Sequence, residues 1–154
     1  MDYSCYISLG SNLGDKKQNL EKTIQLIAER AGSVSAISSV YETQPWGYES
    51  SNIFFNMVIQ INTKQSPTQL LTITKEIEKE MGRTEKTSEL DYQDRIIDID
   101  LIMYGNLILE TPELVLPHPL FHKRQFVMEP LLEIAPDLVH PVLEKTIKEL
   151  CFQK

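Results

Sequence analysis

The chain has 154 residues, of which 42% are hydrophobic and 24% are charged, and its formal net charge is −7. A chain of this length can form one domain with a hydrophobic core, and we assign residues 1–154 to a single domain. The negative charge argues against a nucleic-acid-binding protein, which needs a basic face, although local arginines can still bind a small anionic ligand.

The N-terminal segment predicts a strand and then a helix. "YSCYISLG" (3–10) is strand-like, and the N-terminus has neither the basic region nor the long apolar region of a signal peptide. "GSNLGD" (10–15) is compatible with a phosphate-binding loop at a helix N-terminus, but we favour a strand-to-helix turn in which Ser11 and Asn12 support a pocket from behind. The helix ends at Gly32. Its apolar face consists of Leu13, Leu20, Ile24, Ile27 and Ala31.

The middle of the chain predicts two strands and a helix. "SVSAISSVYET" (33–43) is rich in β-branched residues and predicts a strand, and "QPWGYESSN" (44–52) predicts a loop. "IFFNMVIQIN" (53–62) alternates, as a half-buried strand does. One face carries Phe55, Met57, Ile59 and Ile61, and the other carries Phe54, Asn56, Val58 and Gln60. Segment 66–82 predicts a helix that begins with Ser66 as N-cap and Pro67 as first residue.

A polar segment and a strand with two aspartates follow. "RTEKTSELDYQDR" (83–95) has no apolar period, whereas "DRIIDIDLIMYG" (94–105) reads as a strand. Asp98 and Asp100 are two residues apart and therefore share one face. The opposite, core-facing side carries Ile97, Ile99, Leu101 and Met103. "LPHPLFHKRQF" (116–126) predicts a loop, and short helices are expected at about 128–134 and 143–151.

The cysteines and the lack of a long apolar stretch bear on location. Cys5 lies in the first strand and Cys151 in the last helix, without metal-ligand spacing, so we expect buried free thiols. No stretch approaches the length of a membrane span. We expect a cytoplasmic monomer whose partners are small molecules, not nucleic acid or a membrane.

The order of elements predicts the fold class. It reads β-α-β-β-α-β with a C-terminal helical extension, which is the ferredoxin-like arrangement of an α+β protein. In this arrangement an antiparallel sheet carries both crossover helices on one face, and we expect the extension to complete a three-layer α/β/α structure. If the apolar rows pack on the crossover helices, then Phe54, Asn56, Asp98 and Asp100 share the other face. Aromatic, amide and carboxylate groups on one face form a site hypothesis.

The aspartate pair is compatible with more than one role. Acidic residues on an exposed strand face are common, and neighbouring arginines could form salt bridges with them. However, two carboxylates at i and i+2 also suit Mg²⁺, which binds through a few carboxylates plus waters and substrate phosphates. Arginines around such a pair can bind further phosphate oxygens, as phosphoryl transfer requires. No Walker A or kinase glycine-rich loop is present.

Two rival functions remain open from the residues alone. A ferredoxin-like module that binds a small molecule without chemistry explains the aromatic residues and Asn56, but it leaves the aspartates and arginines without a joint purpose. A metal-dependent phosphohydrolase explains the aspartates, but it needs a water-activating base that the sequence does not identify. Nucleotide binding without metal would indicate the first, and phosphate release without an acceptor would indicate the second.

Several motifs together resemble one known family. They are "GSNLGD", "YETQPWG", "FFN", "GR", "DRIIDIDLIMYG" and "LPHPLFHKRQFVMEPLLEIAPDLVHP", which run from the first strand to about Pro141. The chain resembles the 6-hydroxymethyl-7,8-dihydropterin pyrophosphokinases of folate biosynthesis. The resemblance implies transfer of the β,γ-diphosphate of ATP to the hydroxymethyl oxygen of the pterin, with release of AMP. It also implies two Mg²⁺ ions held by Asp98 and Asp100.

The resemblance further implies which residues bind the substrates. The pterin site is implied to consist of Thr43, Pro45, Trp46, Phe54, Asn56, Tyr92 and Phe126. Among these, Phe54 and Phe126 stack on the flat ring, and Asn56 pairs with its polar edge. ATP is implied to contact Arg83, Arg95, His118 and Arg124. Arg83 and Arg95 count with the two aspartates as catalytic, and Glu78, near the base of the polar segment, is a further candidate.

The polar segment departs from the family pattern. Many members have an arginine-rich loop ending in R-W-G-P-R. Here Glu85 stands where another arginine is usual, Tyr92 where the tryptophan is and Asp94 where the proline is. Arg83 and Arg95 are retained, so we expect the departures to alter ATP affinity and loop closure more than the reaction.

Overall fold

The computed structural model describes residues 2–43, 53–82 and 96–152, and an antiparallel sheet lies at its centre. The strands of this sheet are β1 (Tyr3–Ser11), β2 (Ser33–Ile37), β3 (Tyr41–Thr43), β4 (Phe54–Thr63) and β5 (Asp98–Tyr104). Their order is β2-β4-β1-β5, and β3 pairs with the first residues of β4. This order is that of a ferredoxin-like sheet, which confirms the predicted fold class.

Two helices cover one face of the sheet. They are α1 (Lys16–Arg30) and α2 (Pro67–Glu80). The side chain of Asp15 caps α1, and Ser66 forms a capping box with Gln69 at the start of α2, as its sequence predicts. The strands and helices share a buried core that includes Ile7, Leu9, Leu20, Ile27, Met57, Ile59, Ile61, Leu70, Ile77, Ile99 and Leu101.

The C-terminal part of the chain covers the other face. It consists of a 3₁₀ helix (Phe121–Lys123), α3 (Gln125–Ile134) and α4 (Ile147–Cys151). A second buried core lies between these helices and the sheet, and it includes Tyr6, Val58, Ile102, Met103, Phe121, Val127, Met128 and Leu131. The structure therefore has the three layers that were expected.

Several predicted boundaries were wrong. The strand expected over 33–43 is two strands, and between them Ser38 bonds to β4 through its backbone and its hydroxyl group. Helix α3 begins at Gln125, not near residue 128. Helix α4 begins only at Ile147, because His140 closes a turn by accepting N–H bonds from Val142 and Leu143. A two-stranded sheet, β6 (Leu109–Glu110) with β7 (Val115–Leu116), was missed.

The predicted orientation of Met103 was also wrong. Tyr6 of β1 lies opposite Met103, whereas Ile7 lies opposite Leu101, so the register shifts by one residue at Ile102. Such a β-bulge reverses the alternation of side chains along a strand. Met103 therefore joins the second core, whereas Ile97, Ile99 and Leu101 lie in the first core as expected.

The two cysteines are free thiols. Cys5 is buried, and burial raises the pKa of its thiol to about 12, while Cys151 is only half-buried. In the part of the chain that the structure describes, no helix is long and apolar enough to cross a membrane.

Candidate active site

A row of cross-strand neighbours brings the candidate residues together. Asn56 of β4 lies opposite Tyr41 on one side and Gly10 on the other, and Gly10 in turn lies opposite Asp98. Asp100 lies opposite Ser8 in a neighbouring row of β1. Because directly opposite residues point to the same face, Asn56 and both aspartates share the face that α3 covers. The predicted sharing of one face is therefore confirmed.

Gly10 keeps the space between Asn56 and Asp98 clear. A Cβ atom at this position would lie 2.8 Å from Oδ1 of Asn56 and 3.7 Å from Cδ1 of Phe54. Neighbouring strands are about 4.8 Å apart, so the glycine leaves a gap on the sheet surface between the amide and the carboxylate. From the sequence, Gly10 was placed at the end of the first strand and at the start of the turn, with no role in the site. A single glycine inside a strand pattern was the available signal of a close approach.

The side chain of Asn56 is held by Thr43. Asn56 is only 5% exposed, and its Nδ2 donates a 2.7 Å hydrogen bond to Oγ1 of Thr43 on β3. Its Oδ1 lies on the side of Gly10. Phe54 is half-buried and lies opposite Thr43 in the register of β3 and β4. Thr43, Phe54 and Asn56 thus form one corner of the site.

The two aspartates are half-buried on β5, and Glu78 supports the backbone between them. Glu78 of α2 is 6% exposed, and its Oε2 accepts a 2.8 Å hydrogen bond from the backbone N–H of Ile99. Ile99 is the residue between Asp98 and Asp100. Glu78 therefore contacts the strand that carries the aspartates, which makes it a support of that strand.

His118 and Arg124 lie on the same side of the molecule as Asp98. Burial and, to a smaller extent, the charge of Arg124 lower the pKa of His118 to about 4, and Asp98 opposes the shift. Nδ1 of His118 accepts a bond from the backbone N–H of Leu120. His118 is therefore neutral at pH 7 and carries its proton on Nε2, so it can donate a hydrogen bond to a phosphate but adds no positive charge.

Arg124 and Phe126 stand at the start of α3. Arg124 is the N-cap residue, and its guanidinium carbon lies 5.8 Å from the centre of the Phe126 ring. Phe126 is half-buried and also packs against the second core. Core packing and ring stacking on a ligand are thus both open to its side chain.

Five of the predicted site residues lie outside the described residues, namely Pro45, Trp46, Arg83, Tyr92 and Arg95.

Lys16 is a residue that the sequence reasoning missed. Its Nζ donates to the carbonyl of Ile53 at 3.1 Å and lies 4.6 Å from the centre of the Phe55 ring, so α1 is fastened to the start of β4.

Comparison with known proteins decides the family. The model of the 7,8-dihydro-6-hydroxymethylpterin-pyrophosphokinase (HPPK) family matches residues 6–136. The chain belongs to this family. A 2-amino-4-hydroxy-6-hydroxymethyldihydropteridine pyrophosphokinase of Porphyromonas gingivalis is 43% identical over 137 residues, which cover 88% of this chain and 92% of that protein. The protein of the same name from Aquifex aeolicus is 40% identical, over 94% of this chain and 88% of its own.

A solved structure supports the fold. A triple mutant of HPPK-DHPS from Plasmodium falciparum superposes with a TM-score of 0.77, at 18% identity, over 97% of this chain. The chain spans 44% of the length of that solved chain. At this identity the likeness concerns the fold alone. Family membership makes the chain a pyrophosphokinase of folate biosynthesis with ATP as co-substrate, as its motifs predict.

Proposed function

We propose that the row from Asn56 through Gly10 to Asp98 is where the chain transfers diphosphate from ATP to 6-hydroxymethyl-7,8-dihydropterin. In this reaction the hydroxymethyl oxygen forms a bond to the β-phosphorus, the bond from that phosphorus to the α,β-bridging oxygen breaks, and AMP leaves. The hydroxyl proton is released. The observation that carries the proposal is that Gly10 separates an amide suited to the pterin from a carboxylate suited to a metal–phosphate group.

The pterin is proposed to bind at the Asn56 end of the row. Nδ2 of Asn56 is already bonded to Thr43, which orients the amide so that its remaining groups meet the polar edge of the ring. Phe54 and Phe126 would stack on the ring faces, because flat aromatic ligands favour aromatic walls. The remaining proposed pocket residues are Pro45, Trp46 and Tyr92.

Two Mg²⁺ ions are proposed to bind at Asp98 and Asp100. Among the described residues no three metal-binding side chains cluster, but Mg²⁺ commonly needs only one or two carboxylates together with water and substrate phosphates. The half-buried carboxylates on one face of β5 fit that donor set. The ions would neutralise the charge that develops on the transferred diphosphate.

The triphosphate is proposed to lie against the side of the site that carries His118 and Arg124, together with Arg83 and Arg95. Arg124 offers a planar set of donors to phosphate oxygens, and His118 offers a neutral N–H. Because His118 is neutral, the positive charge that the protein itself adds on this side of the site comes from the arginines. Arg83 and Arg95, together with Asp98 and Asp100, form the proposed catalytic set.

The organisation of the chain is also a proposal. A single domain over 1–154 that works as a monomer in the cytoplasm, without nucleic acid, agrees with the net charge of −7 and the two free thiols. Light scattering on the purified chain would test the monomer, and a mass of twice 17.7 kDa would contradict it.

A coupled assay tests the function. AMP and pterin diphosphate should form in equal amounts, only when ATP, Mg²⁺ and the pterin are all present. Phosphate release from ATP without pterin would indicate a phosphohydrolase. Pterin and ATP binding without product, at any Mg²⁺ concentration, would indicate a binding module, and either result would overturn the proposal.

A further inference from the structure

One carboxylate on α3 binds the segment that leads into β3. Oε1 of Glu133 accepts bonds from the backbone N–H of Ser39 at 3.0 Å and from the hydroxyl of Tyr41 at 2.8 Å. Oε2 accepts from the same N–H at 3.1 Å and from the Ser39 hydroxyl at 2.9 Å. Hydrogen bonds to a charged acceptor are stronger than those between neutral groups. Glu133 therefore holds Ser39 and Tyr41 against α3 although its side chain is exposed.

The protonation states of Glu133 and Tyr41 favour these hydrogen bonds. Burial acts to raise the pKa of Glu133, but the bonds from Tyr41 and Ser39 lower it below its usual value. Burial, then the bond to Glu133 and the nearby negative charges, raise the pKa of Tyr41 to about 12. At neutral pH the carboxylate is therefore ionised and the phenol keeps its proton, which is the state that forms all the bonds.

The bound segment continues directly into the pterin corner. Tyr41 lies opposite Asn56 in the register of β3 and β4. Two residues later, Thr43 accepts the hydrogen bond that orients the Asn56 amide. Strand β3 has only three residues, so its backbone bonds to β4 alone give it little hold. A side chain that fixes Ser39 and Tyr41 also restrains Thr43.

The other end of the connection is the helix that carries the opposite wall. Phe126 and Glu133 are seven residues apart on α3, which places them on the same side of the helix about 10 Å apart. Helix α3 is continuous between the two residues, and its buried side chains hold it against the second core on both sides of Pro130. Fixing Glu133 against β3 therefore also limits where Phe126 stands relative to Asn56.

We propose that Glu133 is a positioning residue that sets the spacing between the β3 wall and the α3 wall of the pterin pocket. The inference rests on the proposed function, since it takes Thr43, Asn56 and Phe126 as that pocket. Glu133 touches no reacting atom in this role. It acts through Ser39 and Tyr41 on one wall and through α3 on the other.

The test separates pterin binding from ATP binding and from folding. Glu133→Ala should raise the pterin Kd and KM about ten-fold, because a misplaced wall weakens a fitted ligand, while the ATP Kd and kcat at saturating pterin change by less than about two-fold. Glu133→Gln, which keeps one carbonyl acceptor, should recover part of the loss, and Tyr41→Phe should show a smaller effect. Glu129→Ala is the matched control on the same helix, because Glu129 bonds within α3 to Gln125.

Two outcomes would overturn the inference while leaving the proposed function intact. One is a wild-type pterin Kd in Glu133→Ala, measured well below its melting temperature. The other is an equal loss of pterin and ATP affinity, which would mean general unfolding. If the wild-type protein itself binds no pterin and forms no product, then the proposed function fails first.

Discussion

The face of the sheet that α3 covers has two halves with different chemistry, although the same three strands build both. In the apolar half the strands contribute Tyr6, Val58, Ile102 and Met103, which pack against α3 and α4. In the polar half they contribute Gly10, Asn56 and Asp98. Asn56 and Val58 are successive residues on one face of β4. The boundary between the apolar core and the polar site therefore lies between these two side chains.

The difference shows how stability and function are divided on one surface. Burial of Val58, which is fully inaccessible, stabilises the fold by the removal of apolar surface from water. Asn56 is almost as buried, but its amide needs partners, and Thr43 supplies one of them. We therefore expect changes in the apolar half to act on folding and changes in the polar half to act on ligands.

The largest effect is expected at the aspartates. Asp98→Ala or Asp100→Ala should lower kcat about a thousand-fold, because several kcal/mol of transition-state stabilisation depend on the metal–phosphate group. The melting temperature should stay the same or rise, since repulsion between the two carboxylates is removed. Steady-state kinetics at saturating Mg²⁺ would measure this, with Asp137→Ala as an exposed control. Near-normal turnover of either variant would contradict the assignment of that aspartate as a Mg²⁺ ligand.

Two glycines offer a direct contrast between ligand and fold. Gly10→Ala places a methyl group 2.8 Å from Asn56 Oδ1 and should weaken pterin binding by about 10- to 100-fold without changing the ATP Kd. Gly32→Ala places one 2.3 Å from the carbonyl oxygen of Asn62, so it should cost about 1–3 kcal/mol of stability and leave the pterin Kd unchanged. Calorimetry and thermal melts of both variants would decide. If both variants showed the same change in pterin Kd and in stability, the two glycines would not differ in role.

Adjacent positions on β4 sharpen the comparison further. Val58→Ala should reduce the free energy of unfolding by about 2 kcal/mol, through lost burial and a residual cavity, with the pterin Kd unaffected. Asn56→Ala should weaken pterin binding by about 1–3 kcal/mol, because one hydrogen bond is left unmade, with ATP binding nearly intact. Urea unfolding and separate titrations of the two ligands test the pair. A ligand effect of Val58→Ala equal to that of Asn56→Ala would show that the two halves are not separable.

The smallest effect is expected from pH. The pKa of His118 is about 4 in the folded chain against an ordinary value of 6.5, so the unfolded chain binds more protons between these values. The associated stability is present above pH 6.5 and is lost as the pH falls through the folded pKa. Between pH 7 and 5.5 the wild type should therefore lose about 1 kcal/mol more than His118→Gln. Urea unfolding at both pH values measures the difference. If the wild type and His118→Gln lost the same free energy of unfolding, burial would not lower the pKa of His118.

Local rules in the sequence predicted much of this molecule. The capped start of α2 at Ser66 depends on neighbours along the chain, and so do the alternation over 53–62 and the shared face of Asp98 and Asp100. The order of elements then predicted the sheet, because few topologies satisfy it. The motifs predicted the family and with it the function, and the match to the family model confirms that prediction.

What the sequence did not determine depends on pairing between distant segments. Gly10 acquires its role only when β1 lies between β4 and β5, and Met103 changes face only because Ile102 forms a bulge against β1. Glu133 meets Ser39 across 94 residues of chain. The low pKa of His118 comes first from burial, which the local sequence does not reveal. Sequence periodicity predicts which way most side chains of a strand point, whereas pairing with distant segments decides where that alternation breaks and what each side chain contacts.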